Sequence, residues 1–212
     1  PDILKITMHL KTQSKDETYT RNKIPIFTED EEARFLLREI FSFWIQKNAK
    51  FAIVENYFHL VECSIGADNL KTIFSDPHLM ETSLKSICVL DGDHGPDLRK
   101  GIISLPGSKS PEDLIFEHCE KIFNDDDASF WENTDIIDNG FTKDYYIVAI
   151  QPKIKSIEQK LQQKRDNGES TAGLKRALNK SVFNSHIDFF KMITRNWLRK
   201  DDNKESLKYF HN

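Results

Sequence analysis

The chain has 212 residues, of which 38% are hydrophobic and 30% are charged, and its formal net charge is −4. This composition is typical of a folded domain with its own hydrophobic core, and it excludes a disordered chain and a uniformly basic nucleic-acid coat. No apolar run is long enough to span a membrane, no signal-peptide pattern is present, and the three cysteines lack a paired spacing. We therefore expect a cytoplasmic protein with free thiols and no membrane partner.

The first part of the chain predicts a strand that leads straight into a helix. Residues 1–22 contain the strand-like stretch ILKITMHL and have the character of sequence from inside a longer protein. Residues 23–28 then predict a short strand, and the apolar residues from Ala33 to Trp44 recur at helical spacing. Residues 29–32 lie between strand and helix, where carboxylates suit the positive end of the helix dipole.

The middle of the chain predicts further strands and helices in alternation. Residues 50–63 predict one or two strands, followed by a turn at Gly66 and a short helix. The stretches SICVLDGD and KGIISLPG each predict a strand, and SPEDLIFEHCEKIF predicts a helix with serine as its N-cap and proline at its first position. Because strands alternate with helices, we predict an α/β fold with a mostly parallel sheet flanked by helices.

The last third of the chain differs from the rest in pattern and in charge. Residues 124–152 predict irregular structure, and helical periodicity then continues to the end with a break around residues 166–170. Residues 151–212 contain 14 lysines and arginines against 7 acidic residues, whereas residues 1–150 contain 16 against 27. An acidic part able to hold cations is thus joined to a basic helical extension, which either binds a polyanion or is simply solvated.

Acidic residues follow several of the predicted strands. Glu29 follows the first strand, Asp91 and Asp93 follow a buried strand, and Glu112 follows the last strand. Because ligands of parallel sheets bind beyond the carboxyl ends of the strands, we expect these side chains to converge. Clustered carboxylates repel one another unless protons or a cation are shared among them, and oxygen ligands without a Cys or His cluster favour one or two Mg²⁺ or Mn²⁺ ions.

Several motifs of the chain resemble one known family. The stretches IFTEDEEARFLL, CSIGADNL and VLDGD are similar to the Toprim domain of topoisomerases, primases and certain nucleases. The stretch ISLPGSKSPEDLIFE is similar to the Toprim half of overcoming-lysogenization-defect (OLD) nucleases and related ATPase-linked bacterial defence effectors. In those proteins a Ser-x-Glu element follows the Asp-x-Asp element, and here Ser110 and Glu112 match it. A lysine-bearing segment of the family resembles ALNKSVFNSHI, in which Lys180 is the match.

The resemblance implies a metal-dependent DNA endonuclease that nicks or cuts its substrate. Glu29, Asp91, Asp93 and Glu112 would be the metal ligands and, with Lys180, the catalytic residues. Glu29 could also be a general base, Ser110 would bind a water of the metal or a phosphate oxygen, and Lys180 would neutralise charge on the reacting phosphate.

The resemblance also implies a domain organisation and partners. Residues 1–22 would be a strand or linker from a preceding ATPase part, residues 23–150 the Toprim nuclease domain, and residues 151–212 a helical C-terminal extension. The expected partners are DNA, an ATPase domain or chain on the N-terminal side, and further copies that assemble through the full-length protein. No phosphate-binding GxxxxGK[ST] loop is present in this chain.

The chain departs from the family at the first motif. Many relatives have a glycine right after the first glutamate and a second acidic residue four positions on, where this chain has Asp30 and Ala33. Either Glu31 or Glu32 could supply the missing carboxylate from the first helical turn.

Other interpretations of the same residues stay open. A phosphatase of the haloacid-dehalogenase type would use Asp91 as its nucleophile, although its motif normally comes on the first strand, and a Toprim assembly module would have no activity. Each carboxylate could instead be an ordinary turn or first-turn residue, and Ser110 an N-cap. Lys175, Arg176 and Lys191 compete with Lys180 for its role, and His94 has the pattern of a surface loop residue.

Overall fold

The computed structural model describes residues 23–78, 86–171 and 173–200, together with Asn203 and Leu207. Four parallel strands of this part form one sheet in the spatial order β2, β1, β3, β4. The strands are β1 (Ile24–Thr28), β2 (Phe58–Leu60), β3 (Ile87–Leu90) and β4 (Ile102–Ser104). Because β1 and β3 are central neighbours, the residues that follow these two strands meet at one edge of the sheet. The predicted strand ILKITMHL lies outside the described residues.

Helices cover the sheet and form the C-terminal part. They are α1 (Glu31–Lys47), α2 (Phe51–Glu55), α3 (Ala67–Ile73), α4 (Pro111–Asn124), α5 (Ala128–Trp131), α6 (Thr134–Asp138), α7 (Lys143–Tyr145), a π-helix (Tyr146–Ile150), α8 (Gln151–Asp166), α9 (Leu174–Ser185) and α10 (Ile187–Arg199). The predicted α/β class, with a parallel sheet, flanking helices and a helical C-terminal part, is confirmed. The arrangement is consistent with a Toprim-like fold. None of the helices in the described ranges is both long enough and apolar enough to cross a membrane.

One local prediction was confirmed in part and another was wrong. The stretch predicted as one or two strands contains one strand, β2, preceded by the short helix α2. The segment predicted as irregular contains α5, α6, α7 and the π-helix. Its polar residues act as N-caps, since the side chains of Asp127, Asn133 and Thr142 accept hydrogen bonds from backbone N–H groups at the helix starts.

The two faces of the sheet bury separate hydrophobic clusters. Successive strand side chains point to opposite faces, so Ile26 and Val89 enter the larger cluster whereas Phe27, Cys88 and Leu90 enter the smaller one. The larger cluster also includes buried side chains of α1, α4, α9 and α10. The C-terminal helices therefore share one core with the sheet, and this core fixes the position of α9 relative to the strand ends.

Candidate metal centre

Three carboxylates meet beyond the ends of β1 and β3. Glu29 and Asp30 follow β1 and Asp91 follows β3, and each of them offers a ligand atom within 4.8 Å of the others. Glu29 and Asp91 are buried, and Asp91 is 0% exposed. We call these three residues the acidic cluster.

Local structure holds each carboxylate of the cluster in place. Asp30 is the N-cap of α1, and its side chain accepts a hydrogen bond of 2.9 Å from the Ala33 N–H. The Glu29 carbonyl accepts a hydrogen bond of 3.1 Å from the Gly66 N–H at the start of α3. Beside Asp91, the Gly92 N–H donates to the Lys109 carbonyl at 3.0 Å and so joins the end of β3 to the segment before α4.

Gly92 is surrounded too closely for a larger residue. A Cβ atom there would lie 2.9 Å from the carbonyl oxygens of Leu105 and Lys109 and 3.0 Å from that of Pro106. Since backbone carbonyls cannot rotate away, we expect Gly92→Ala to lower the free energy of unfolding by about 1–3 kcal/mol. Thermal unfolding should show a fall in Tm of about 2–4 °C per kcal/mol. Gly95→Ala is the matched control, because among the described residues no heavy atom other than those of its chain neighbours lies within 4 Å of its Cβ position. Equal Tm values for the two variants would contradict the prediction.

Glu112 lies beside the acidic cluster at the start of α4. Ser110 is the N-cap of this helix, and its hydroxyl accepts a hydrogen bond of 3.3 Å from the Asp113 N–H. Glu112 is 0% exposed, and neither of its carboxylate oxygens has a hydrogen-bond partner in the part of the chain that the structure describes. The Arg176 Nε atom lies 3.7 Å from one of them. Ser110 thus positions the first turn of α4, which carries Glu112 to the edge of the cluster.

Two cations from α9 reach these carboxylates. The Arg176 Nη2 atom lies 2.7 Å from Glu29, 3.1 Å from Asp30 and 2.6 Å from Asp91. Lys180 donates to Asp30 and, at 2.8 Å, to Glu32. Residues four apart lie on the same face of a helix, so one face of α9 supplies both cations.

The electrostatics of the site favour a further cation. Burial and the negative charges of Asp30, Glu29 and Glu112 raise the pKa of Asp91, and the positive charge of Arg176 lowers it. Together they bring this pKa to about 8. Burial likewise raises the pKa of Glu112. Burial would also raise the pKa of Asp30, but hydrogen bonds from Lys180 and a backbone N–H outweigh it and lower that pKa. A buried carboxylate has lost the stabilisation of its charge by water, and a bound proton or metal ion can replace that stabilisation.

His94 and an open cavity adjoin the cluster. The His94 Nε2 atom lies 3.5 Å from Glu29 and 3.8 Å from Asp93, and Lys71 Nζ lies 3.0 Å from Nδ1. The cavity has a volume of about 310 Å³ and is lined by Glu29, Gly66, Ala67, Asp68, Asn69, His94 and Arg176. A larger cavity, of about 540 Å³, lies between α4 and the end of α10, and none of the cluster residues lines it.

The donor set fits a hard divalent cation. Within the described ranges, four buried carboxylate oxygens have no hydrogen-bond partner, namely Glu29 Oε2, Asp91 Oδ1 and both oxygens of Glu112. An unpaired buried carboxylate oxygen is costly, and oxygen-only sites of this kind suit Mg²⁺ or Mn²⁺. Glu29, Asp30 and Asp91 are the residues that could hold such an ion, with Glu112 beside them.

The structure brings together some of the residues selected from the sequence and separates others. Glu29, Asp91 and Glu112 converge. Asp93 is not part of the cluster; its side chain is 49% exposed, and its Oδ1 atom lies 3.8 Å from His94 Nε2. Lys180 contacts Asp30 and Glu32 rather than the carboxylates of Asp91 or Glu112.

Sequence reasoning missed two members of the site. Asp30 is the second residue after the end of β1, and this position was a signal for it. Arg176 was only a competitor of Lys180, although the two residues share one helix face. Of the two residues proposed for the additional carboxylate, Glu31 is exposed and Glu32 is buried against Lys180.

Comparison with protein-family models, with curated proteins and with solved structures finds no match for this chain.

Proposed function

We propose that the protein is a divalent-metal-dependent DNA endonuclease and that Glu29, Asp30, Asp91 and Glu112 hold the metal. The observation that carries this proposal is the set of buried carboxylate oxygens without partners at the joined ends of β1 and β3. When bound, Mg²⁺ or Mn²⁺ would activate a water molecule and stabilise the leaving oxygen of the phosphodiester.

The residues around the metal ligands have separate roles in this proposal. His94 faces Glu29 from the cavity side, and Lys71 donates to its Nδ1 atom. The imidazole is thereby held as the tautomer whose Nε2–H points towards Glu29. His94 thus orients Glu29, as a general base needs to be oriented. Ser110 acts through the first turn of α4, which it caps.

The basic C-terminal helices support a polyanionic substrate. The side chains of Lys155, Lys160 and Arg165 on α8 are exposed, and α8 packs against α9, which carries Arg176 and Lys180. Exposed cations attract the phosphate backbone of DNA. We propose in addition that the nuclease works in the cytoplasm as part of a larger, ATPase-linked and oligomeric antiphage effector.

Incubation with supercoiled plasmid and with linear DNA tests the proposed activity. We expect nicked or linear plasmid with Mg²⁺ or Mn²⁺ and intact plasmid with EDTA, and agarose gels over a time course measure both. Phosphate release from a monoester, with the plasmid intact, would instead favour the haloacid-dehalogenase alternative. Intact DNA together with undetectable metal binding would favour the assembly module.

Metal affinity is expected to rise with pH. In the metal-free folded protein the pKa of Asp91 is raised from 3.8 to about 8, so this carboxyl keeps its proton through neutral pH. A metal ion binds the carboxylate form and must displace that proton. Affinity for Mn²⁺ should therefore increase up to ~tenfold per pH unit between pH 6 and 8 and level off above this range.

The raised pKa of Asp91 has the opposite effect on the stability of the metal-free fold, which falls as the pH rises. The folded state retains a proton that the unfolded chain releases, so the contribution of Asp91 to stability is present at low pH and is lost as the pH rises through about 8. The predicted pH dependence of metal affinity is measured by calorimetric titrations of Mn²⁺ in buffers with different ionisation enthalpies, which give affinity and proton release together. A constant Mn²⁺ affinity from pH 6 to 8, without proton release, would contradict that prediction.

A further inference from the structure

A single nitrogen of Arg176 lies among all three carboxylates of the acidic cluster. Its Nη2 atom contacts Glu29 Oε1 at 2.7 Å, Asp30 Oδ2 at 3.1 Å and Asp91 Oδ2 at 2.6 Å. A cation placed among three carboxylate oxygens from two neighbouring strand ends has the surroundings that a coordinated metal ion would have. This guanidinium therefore stands at the place that the proposed function assigns to the metal.

The guanidinium does not satisfy the oxygen atoms around it. Among the described residues, neither oxygen of Glu112, which is 0% exposed, has a hydrogen-bond partner, and the same holds for Asp91 Oδ1. The nearest cation to Glu112 is the Arg176 Nε atom at 3.7 Å, which is too far for a hydrogen bond. These oxygen atoms indicate a ligand that can bind more of them at once than the guanidinium does. A hard divalent ion, which binds six or more oxygens at 2.0–2.6 Å, has that capacity.

We propose that Arg176 and a divalent cation are alternative occupants of the acidic cluster, and that metal binding moves the guanidinium into the adjoining cavity. The inference rests on the proposed function, because it needs the metal at these carboxylates. A metal ion coordinated by these three oxygens would overlap the Arg176 Nη2 atom, which lies within 3.1 Å of each of them, and the two like charges would also repel each other.

Arg176, rather than Lys180, is the residue able to move. Its side chain is 40% exposed, and it already lines the open cavity of about 310 Å³ next to the cluster. Lys180 is only 22% exposed and is fixed between Asp30 and Glu32, whose other oxygen accepts a hydrogen bond of 2.8 Å from Asn184. In the cavity the freed guanidinium presents its paired N–H groups to a phosphate of the substrate. The exchange thus links metal binding to formation of the phosphate site.

Mn²⁺ affinity of charge variants tests the exchange without any measurement of cleavage. We expect Arg176→Gln to bind Mn²⁺ at least about tenfold more tightly than the wild type, because the competing charge is gone. Lys175→Gln is the matched control. Lys175 is the preceding residue of α9, is 57% exposed and contacts Asp113 outside the cluster, so its loss should leave the affinity unchanged. Calorimetry and the electron paramagnetic resonance signal of free Mn²⁺ both report the affinity.

Two further variants keep the test decisive if Arg176→Gln does not fold. Arg176→Lys retains a charge on a shorter donor and should bind Mn²⁺ with intermediate affinity. In Arg176→Ala, added methylguanidinium should weaken Mn²⁺ binding again, because it returns a cation to the cluster. If the wild type binds Mn²⁺ and the variants bind it no more tightly, the exchange is overturned and the metal site stands. If no variant and no wild-type protein binds Mn²⁺, the metal site is overturned and the exchange with it.

Discussion

Replacing Asp91 with asparagine is expected to lower the rate of metal-dependent DNA cleavage by about 10³-fold or more. Metal ligation supplies several kcal/mol of charge stabilisation in the transition state, and each 1.36 kcal/mol corresponds to a factor of ten in rate. Asp91 is fully buried at the end of β3 and has an unpaired oxygen beside the other two carboxylates. Time courses of plasmid cleavage in Mg²⁺, with Mn²⁺ binding measured on the same samples, give both effects.

Two observations separate a lost ligand from a lost fold. The amide of Asp91→Asn has the shape of the carboxyl and can still accept the hydrogen bond from Arg176, so we expect the free energy of unfolding to stay within about 1 kcal/mol of the wild type. Asp93→Asn is the matched control, because that side chain is 49% exposed and lies outside the cluster. Cleavage by Asp93→Asn should change by less than about fivefold. An equal loss in both variants would return Asp93 to the ligand set.

Replacing Phe183 with alanine is expected to lower the free energy of unfolding by about 3–5 kcal/mol, the cost of removing a large aromatic side chain from a core. Phe183 on α9 is 0% exposed. Its ring lies 5.4 Å from that of Phe35 on α1, 6.3 Å from that of Phe116 on α4 and 5.1 Å from that of Phe190 on α10. One side chain thus connects the C-terminal helices to the two helices that begin beside the acidic cluster.

Urea unfolding followed by circular dichroism measures this effect. Tyr57→Ala is a suitable control, because the Tyr57 side chain is 61% exposed and its removal should cost less than about 0.5 kcal/mol. Unchanged stability of Phe183→Ala would mean that α9 does not belong to the shared core. We expect cleavage to fall with stability in this variant, because α9 carries Arg176 and Lys180.

The carboxylates at the strand ends could be predicted from the sequence because two general properties of buried parallel strands locate them. Buried strands have recognisable apolar runs, and parallel strands end at the same edge of a sheet. Glu29 and Asp91 follow such runs directly. The sequence does not state which strands are neighbours, so the adjacency of β1 and β3, which brings Asp30 to Asp91, emerged only from the fold.

Other features depend on tertiary contacts that no local pattern encodes. Helical periodicity places Arg176 and Lys180 on one face, but which carboxylate each reaches depends on how α9 packs against α1 and α4. The Asp-x-Asp spacing selects Asp93 together with Asp91, but in the fold its side chain is 49% exposed and lies outside the acidic cluster. The N-caps of α5, α6 and α7 were mistaken for loop residues because the same polar side chains serve turns and helix starts alike.

The separation of opposite charges along the chain has a consequence for biosynthesis. The carboxylates of the site lie between residues 29 and 112, whereas the cations that contact them lie at residues 176 and 180. A ribosome delivers the chain from its N-terminus, so the strand-end acids emerge well before their counter-ions have been translated. Until α9 docks, the nascent sheet carries mutually repelling carboxylates at its edge. Docking of α9 requires contacts between residues distant in sequence, and such contacts form slowly. Neutralisation of the acidic cluster therefore depends on translation of α9, and a chain that stops before this helix carries the carboxylates without the cations that contact them.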